Sequence, residues 1–423
     1  MPGTPITADP APTDGLLPDT VAQTIKIAKR SGAARTFSLY VHVPFCTVRC
    51  GYCDFNTYTA EDLGPGASRT SYADTAIAEI AFAADVMNAS DIPARQLHTV
   101  FFGGGTPTLL PAADLVRILD AARSQWGIAE GAEITTEANP DSVTRESLWK
   151  LAEGGFTRVS FGMQSAVNHV LDTLERTHRP ENVPTAVAWA RQAGLEVSLD
   201  LIYGTPGESL EDWRTTLDTA LQLQPDHISA YGLIVEEGTK FGAAVRRGTQ
   251  ADTDPDDQAD KYLLADTVLA ERGYHWYEVS NWAHDPDRRG INQGRHNVAY
   301  WRDQDWWGVG PGAHSHLAGV RFWNAKHPAA YAQRLRTGVS PAIGRETPDA
   351  EARRLERIML GVRLSEGLAI ADFDDDEPLD RAEITKLIAD GLIDGAAALR
   401  GRIIPTLQGR LLDDAITRRL AGF

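Results

Sequence analysis

The chain has 423 residues, of which 43% are hydrophobic, so a substantial core can form and global disorder is excluded. A formal net charge of −17 at pH 7 argues against nucleic acid or an anionic membrane as the main partner. No segment approaches the roughly 18 apolar residues of a membrane span, and residues 1–15 lack the basic and apolar regions of a secretory signal. These features predict a cytoplasmic protein.

The first two hundred or so residues show a regular alternation after a polar start. Residues 1–36 are rich in Pro, Ala, Thr and Asp, and we expect a flexible tail with one helix at Val21–Lys29. Short β-branched or aromatic runs then alternate with amphipathic stretches up to residue 235, which predicts βαβ units and a parallel sheet. Six strands fit an α/β fold, as a partial (β/α)6 TIM-like barrel or a doubly wound sheet, with ligands at the carboxyl ends of the strands. The predicted strands are 37–43, 98–104, 133–139, 158–164, 196–204 and 227–233.

Two further regions follow the predicted barrel of residues 37–235. Residues 236–345 are predicted to form a mixed α/β extension that is dense in His and Trp, and residues 346–423 a small C-terminal helical domain. In the C-terminal domain two helices, two short strands in "GAAALRGRIIPT" and a last helix follow one another, which is a winged-helix-like order. The acidic charge balance favours a packing or lid role over DNA binding.

The only three cysteines lie within eight positions, in the segment "VPFCTVRCGYCDF". Cys46, Cys50 and Cys53 follow the first predicted strand, at the end where ligands are expected. Thiolates bind zinc and iron–sulfur clusters, and a four-iron cluster with three protein ligands keeps one iron open for chemistry. A zinc site completed by His42 and three unrelated core cysteines are the alternatives, although structural zinc usually uses two separated ligand pairs.

The segment "CTVRCGYC" resembles the signature of the radical S-adenosylmethionine (SAM) superfamily. Seven further segments are similar to the oxygen-independent coproporphyrinogen III oxidase group, and more narrowly to its heme-chaperone branch, the HemW type. The resemblance covers roughly residues 37–423. The segments are "YVHVPFC", "FFGGGTPT", "TTEANP", "RVSFGMQS", "LDLIYGTPGES", "AYGLIVEEGT" and "GPGAHS".

The resemblance implies that the three thiolates hold a [4Fe–4S] cluster whose open iron is chelated by SAM. Glycines at 103–105 allow a backbone to approach a ligand closely, and Arg176 suits a carboxylate. Glu137 and Asp200, at strand ends, can accept hydrogen bonds from hydroxyl or ammonium groups. The implied SAM-binding residues are Tyr40, Tyr52, Gly104, Gly105, Thr106, Glu137, Gln164, Arg176, Asp200, Ile202 and Gly232.

Two departures from the oxidases favour the chaperone branch. Phe55 stands where the oxidases carry a further cysteine, and residues 1–36 offer only a Pro-rich tail where the oxidases have a longer ordered segment. We therefore do not expect coproporphyrinogen decarboxylation, and we assign no catalytic residue. The alternatives are that oxidase activity, or a radical SAM enzyme acting on another substrate.

Residues 274–323 contain six of the ten Trp and five of the eleven His. His296, Asn297, Tyr300 and Trp301 resemble the H-N-x-x-Y-W motif of the chaperone branch. Heme needs aromatic faces, a nitrogen donor for iron and cations for its propionates; an aromatic core between domains is the alternative. The candidates are Trp301, Trp306 and Trp307 for the faces, His296 for iron with His314 and His316 as rivals, and Arg295 or Arg302 for the propionates.

The sequence thus predicts a heme chaperone of the radical SAM type, with a [4Fe–4S] cluster, SAM and heme as cargo. Its expected partners are heme, an electron donor and a heme-acceptor protein, for which we expect a membrane respiratory enzyme and hence transient membrane association. We expect no nucleic-acid partner.

Overall fold

The computed structural model describes residues 9–373 and 377–423, and the bounds of its elements are as follows. The strands are β1 (Phe37–Val43), β2 (Leu97–Gly104), β3 (Ile128–Ala138), β4 (Arg158–Gln164), β5 (Glu196–Tyr203), β6 (His227–Gly232), β7 (Tyr274–Glu278), β8 (Asn281–His284), β9 (Asp305–Val309), β10 (His314–Leu317), β11 (Val320–Asn324), β12 (Ala342–Glu346), β13 (Leu368–Ala369) and β14 (Arg402–Ile403).

Helices lie between and after these strands. They are α1 (Asp19–Arg30), α2 (Tyr72–Ala89), α3 (Ala112–Trp126), α4 (Arg145–Glu153), α5 (Asn168–Thr173), α6 (Asn182–Gln192), α7 (Leu210–Gln222), α8 (Lys240–Arg246), α9 (Pro255–Ala270), α10 (Arg295–Trp301), α11 (Pro328–Arg336), α12 (Ala350–Gly361), α13 (Arg381–Ala389), α14 (Gly395–Leu399), α15 (Leu407–Arg410) and α16 (Asp413–Ala421). Within the described ranges, none of them combines the length and apolar character of a membrane-spanning helix.

Twelve strands form one sheet, in the order β12-β11-β10-β9-β1-β2-β3-β4-β5-β6-β8-β7. The six predicted strands are its parallel centre and lie in chain order from β1 to β6. Five of them are within a residue of their predicted bounds, whereas β3 begins five residues earlier than predicted. β9 adds a seventh parallel strand beside β1, and the remaining strands extend both ends by antiparallel pairing. The mixed sheet with its flanking helices confirms the predicted α/β class and partial barrel.

The two faces of the central strands have different chemistry. On one face, side chains such as Leu39, Val100, Val159, Leu199 and Ile228 are fully buried in the core cluster, which also contains buried residues of the flanking helices. Strand side chains alternate between faces, so the neighbouring positions point the other way. Those positions line a cavity and are mainly polar or aromatic: Tyr40, Phe101, Thr135, Glu137, Ser160, Asp200 and Ser229.

The expectation of a flexible tail is wrong for residues 9–36. Helix α1 spans 12 residues, and Val21, Ala22 and Ile25 on one of its faces belong to the main core. Asp9 and Arg345 exchange two backbone hydrogen bonds of 3.0 and 2.9 Å. Residues i and i+4 share a helix face, so the spacing of Val21 and Ile25 carries the signal that the Pro-rich composition hides. Residues 1–8 lie outside the described part.

The C-terminal helices have a core of their own, which includes Ile358, Val362, Leu387, Ile403 and Ile416. One of the two strands predicted in "GAAALRGRIIPT" is wrong, because its first residues form α14. The side chain of Asp394 caps that helix by accepting the Ala397 N–H, and the alanines that follow favour helix. The strand that pairs with β14 lies earlier in the chain, at β13.

Candidate SAM and iron–sulfur site

A cavity of about 530 Å³ occupies the inner face of the parallel strands and has the three cysteines in its wall. It brings together nearly all residues that the resemblance singled out, because the carboxyl ends of parallel strands meet at one edge. Of the predicted site residues, the lining includes Tyr40, Cys46, Cys50, Tyr52, Cys53, Gly104, Gly105, Thr106, Glu137, Gln164, Arg176, Asp200, Ile202, Gly232, His296, Asn297 and Tyr300, but not Trp301.

The cysteine loop, residues 44–58, follows β1 directly, and a bridge between Phe45 and Tyr58 brings its two ends together. Cys46 is buried, and Cys50 and Cys53 are half-buried. The Cys46 N–H donates to the Tyr58 carbonyl (2.9 Å), and the Cys53 N–H donates to the Cys50 carbonyl (3.2 Å). Burial raises the pKa of the Cys46 and Cys53 thiols. A metal cluster that binds thiolates must therefore displace protons here, which makes its binding favoured by alkaline pH.

The zinc alternative is disfavoured by the contacts of His42. One ring nitrogen is bonded to the Tyr40 hydroxyl (2.9 Å) and the other to the Asn56 carbonyl (3.0 Å), so neither is free for a metal. Among residues 9–373 and 377–423, no three His, Cys, Asp or Glu side chains are grouped closely enough to hold a single ion. A four-iron cluster takes one thiolate per iron, so its ligands need not converge on one atom.

The glycine turn after β2 packs against the cysteine loop. The Gly105 N–H donates to the Val43 carbonyl (2.8 Å), and the Thr106 N–H donates to the Phe45 carbonyl (2.7 Å). A Cβ at residue 105 would lie 2.5 Å from the Phe45 oxygen. Gly104 has a φ of 108°, and its Cβ would lie 2.5 Å from the His42 ring. Both glycines are therefore needed for this close approach, in addition to any access that they give a ligand.

Two half-buried carboxyl groups face the cavity below this turn. Glu137 accepts the Gly104 N–H (3.1 Å), and Asp200 accepts the Ser160 hydroxyl (2.9 Å). Burial, and then the charge of Asp200, raises the pKa of Glu137 to about 8. Burial also raises the pKa of Asp200. Two acids held close together in a cavity gain stability from a cationic ligand, which offsets both their desolvation and their mutual repulsion.

Arg176 lies beside the cysteines with part of its hydrogen-bonding capacity unused. Its guanidinium donates to the Asn139 amide oxygen (2.7 Å), to the Gly162 carbonyl (3.0 Å) and to the Cys50 Sγ (3.5 Å). Its buried Nε has no partner among the described residues. A buried donor without a partner costs free energy, so the site fits an anionic group such as a carboxylate.

The H-N-x-x-Y-W residues sit on α10, at the end of the cavity opposite the cysteines. His296 is buried, and its ring nitrogens are bonded to the Thr99 hydroxyl (2.7 Å) and the Tyr300 hydroxyl (2.8 Å). Its ring stacks on Phe101, with centroids 5.2 Å apart, and burial lowers its pKa to about 3. His296 is thus a neutral part of the cavity floor and presents no free nitrogen to iron in this structure.

Sequence reasoning missed the groups that hold this floor in place. Both oxygens of the buried Glu133 accept backbone N–H groups of α10, from Arg295 and His296, at 3.0 Å each. Arg158 forms an ion pair with Glu133 at 3.2 Å. The available signal was a charged residue at an inward position of β3 and another of β4. Charged residues at buried strand positions are usually paired.

The remaining heme candidates are divided between core and surface. Trp307 is buried against Phe322 in the core, and both ring nitrogens of His316 are engaged, by the Gln304 carbonyl and the Gly319 N–H. Arg302 pairs with Glu366 at 2.6 Å. His314 is exposed, and Arg295 is exposed with its Nε 3.9 Å from Glu133.

The central βα strands, the cysteine loop and the cavity together define a radical SAM protein. The model of the Radical SAM superfamily matches residues 40–220, which include the end of β1, the cysteine loop and strands β2 to β5. The whole fold resembles the solved structure of coproporphyrinogen III oxidase (HemN) from Escherichia coli, with a TM-score of 0.79 over 99% of this chain and 96% of that one. The two sequences are 23% identical, so this likeness concerns the fold alone.

Relatives of higher identity narrow the family. The chain is 44% identical over 387 residues to heme chaperone HemW of Mycobacterium tuberculosis, covering 91% of this chain and 95% of that protein. It is 30% identical over 392 residues to heme chaperone HemW of Bacillus subtilis, covering 91% of this chain and 99% of that protein. The chain belongs to the HemW family of radical SAM proteins.

Proposed function

We propose that this protein binds heme and transfers it to an acceptor protein. The observation that carries the proposal is the 44% identity to a heme chaperone along 91% of the chain, which leaves no large part of either protein unmatched. The acceptor we propose is a respiratory enzyme at the membrane. The chaperone would be cytoplasmic and would associate with the membrane transiently. An electron donor for the cluster is a further partner.

We propose further that the cavity holds a [4Fe–4S] cluster and SAM. The cluster would be held by Cys46, Cys50 and Cys53, and with SAM it supplies one-electron reductive chemistry. Arg176, with its unpaired buried Nε, suits the SAM carboxylate. Glu137 and Asp200 would accept hydrogen bonds from the ammonium group or the ribose, while Gln164, Ile202 and Gly232 line the same wall.

The oxidase alternative receives no support from the site beyond the shared fold. Phe55 occupies the position of the further oxidase cysteine, and it lies at the cavity mouth with 61% of its surface exposed. An exposed phenyl ring can neither donate a hydrogen atom as a thiol does nor transfer a proton. We therefore propose heme handling without porphyrinogen decarboxylation.

Anaerobic incubation and hemin titration test this proposal together. Cluster-loaded protein should give a saturable shift of the Soret band with hemin. The same preparation, incubated with SAM, a reductant and coproporphyrinogen III, should yield no protoporphyrinogen. Sustained formation of protoporphyrinogen would replace the chaperone function by the oxidase function. A hemin spectrum that is merely the sum of its components would remove the heme role.

A further inference from the structure

Strands β9–β12 continue the inner face of the barrel beyond β1. The register places Gly308 beside Tyr40 on β1, Trp306 beside His316, and His314 beside Trp323. Because opposite residues share a face, these side chains lie on one continuous surface with the cavity lining. This surface is accessible: His314 is exposed, whereas Trp306, Arg321 and Trp323 are half-buried.

His314 differs from His296 and His316 in that neither of its ring nitrogens has a hydrogen-bond partner among the described residues. Its imidazole stacks on Trp323, with centroids 5.6 Å apart and planes at 22°. Within the described ranges, its ring nitrogens accept and donate no hydrogen bond, whereas both nitrogens of His296 and of His316 are engaged. Partial burial, and then the charge of Lys326, lowers the pKa of His314. A neutral imidazole with a free lone pair is an iron ligand.

The surroundings of His314 match the other parts of heme. Trp306 lies on the neighbouring strand and donates its indole N–H to the His314 carbonyl (2.9 Å). Trp323 lies directly opposite His314 on β11. Trp306 lies opposite His316 on β9 and is therefore a diagonal neighbour of His314 on the same face. Arg321 is neutralised by Glu346 (2.6 Å) and Glu356 (2.7 Å). Lys326 is exposed and forms no ion pair with a described residue, so its ammonium is available to pair with a propionate.

This surface is also tied to the cysteine loop. The Asn56 amide donates to the carbonyls of Pro311 (2.9 Å) and Lys326 (2.8 Å). A Cβ on Gly312 would lie 2.8 Å from the same amide, so the two segments are in direct contact. The position of Asn56 therefore determines the positions of both the turn before His314 and the backbone of Lys326.

Resting on the proposed heme-chaperone function, we propose that the His314 imidazole binds heme iron on this open surface, beside Trp323, with Trp306 diagonal to it and Lys326 nearby. The macrocycle then lies beside the cavity and not inside it. Heme and SAM occupy different sites and can be held at the same time. The H-N-x-x-Y-W residues support the cavity floor and do not ligate iron.

Hemin titration of the full-length, cluster-loaded protein under anaerobic conditions tests the assignment. His314→Ala should weaken hemin binding by about tenfold or more and change the Soret position, as expected for loss of an axial ligand. His314→Met should replace the nitrogen-ligand signature in electron paramagnetic resonance, a readout that a purely structural role would leave unmoved. Lys326→Gln should weaken binding without changing the spectrum. His284→Ala, at an exposed histidine on β8, is the matched control and should behave as wild type.

The outcomes separate this inference from the function on which it rests. Absence of any Soret shift in the wild type removes the heme role and this site with it. Normal hemin binding by the wild type, with unchanged affinity and spectrum in His314→Ala, overturns the His314 assignment and leaves the chaperone function standing. Loss of the shift in His296→Ala, in a variant that still binds SAM, would also overturn it in favour of the cavity floor.

Discussion

Glu137 is the residue whose ionisation should report ligand binding most directly. Burial and the nearby Asp200 raise its pKa to about 8, so the free protein holds Glu137 mostly protonated at neutral pH. A cationic ligand favours the ionised form. We expect SAM affinity to rise as the pH rises through about 8. In Glu137→Gln the affinity should be lower by about tenfold or more at alkaline pH, since a hydrogen bond to a charged group contributes about 1.5–3 kcal/mol.

Equilibrium dialysis of SAM at a series of pH values measures this effect. Glu137→Gln should give a shallower profile, because the amide has no proton to lose and only Asp200 then remains to titrate in the site. Glu130→Gln, at an exposed position on the same strand, should keep the wild-type profile. An unchanged profile in Glu137→Gln would assign the pH dependence to another group and remove Glu137 from the ligand contacts.

At the scale of residues, local spacing was informative and long-range partners were not. The C-x3-C-x2-C pattern was enough to predict a cluster site, because all three candidate ligands lie within one loop. The hydrogen bonding of His296 could not be predicted, because one of its partners, Thr99, is 197 positions away in the chain. Whether a histidine is free for iron is decided by such distant partners, and sequence spacing does not show them.

Helix α1 shows that the N-terminal segment contributes to stability. Ile25 is 3% exposed in the main core, whereas Ile27, on the same helix, is 64% exposed. We expect Ile25→Ala to lower the free energy of unfolding by about 2–5 kcal/mol, through lost burial and the cavity left behind. Ile27→Ala should change it by no more than about 0.5 kcal/mol. Urea denaturation of both variants measures the difference. Equal effects would mean that α1 does not pack as described.

Elements with a strong period were predictable, and short ones were not. The six parallel strands follow from β-branched runs separated by amphipathic helices, and the observed bounds of all but β3 agree within a residue. The first of the two strands predicted in "GAAALRGRIIPT" is wrong, since the partner of β14 lies at β13. Both strands are two residues long and are defined by pairing between distant segments. The packing of α1 was missed because a Pro-rich composition was given more weight than the four-residue spacing of Val21 and Ile25.

At the scale of the whole molecule, hydrogen bonds around residues 308–312 connect the central barrel to the later strands. Glu79 on α2 accepts the Gly310 N–H (2.7 Å), the Asn324 amide (2.7 Å) and the Tyr331 hydroxyl. The sheet also continues across the predicted boundary at 235, since β6 pairs with β8. The boundaries at 235 and 345 remain proposals about sequence regions. The physical connections between these regions run through buried polar contacts that no local pattern reveals.

Cluster loading should therefore also slow hydrogen exchange outside the cysteine loop. We expect hydrogen exchange to slow at residues 46–58 and also at 310–312 when iron and sulfide are added, because Asn56 links the two segments. In Asn56→Ala the protection should be confined to 46–58. Exchange in α16, far along the chain, serves as the internal reference. Identical protection at 310–312 in the variant and the wild type would contradict a coupling through Asn56.

A twelve-stranded sheet has two outer strands, and one of them is partly covered by the beginning of the described chain. Asp9 exchanges backbone hydrogen bonds with Arg345 on β12, and the Ser340 N–H donates to the Thr13 carbonyl. An uncovered outer strand is a template on which a second molecule can add its own strand. Residues 9–13 therefore cover part of an edge that could otherwise pair with a second molecule. We expect a chain shortened past them to form fibrillar or dimeric contacts along β12.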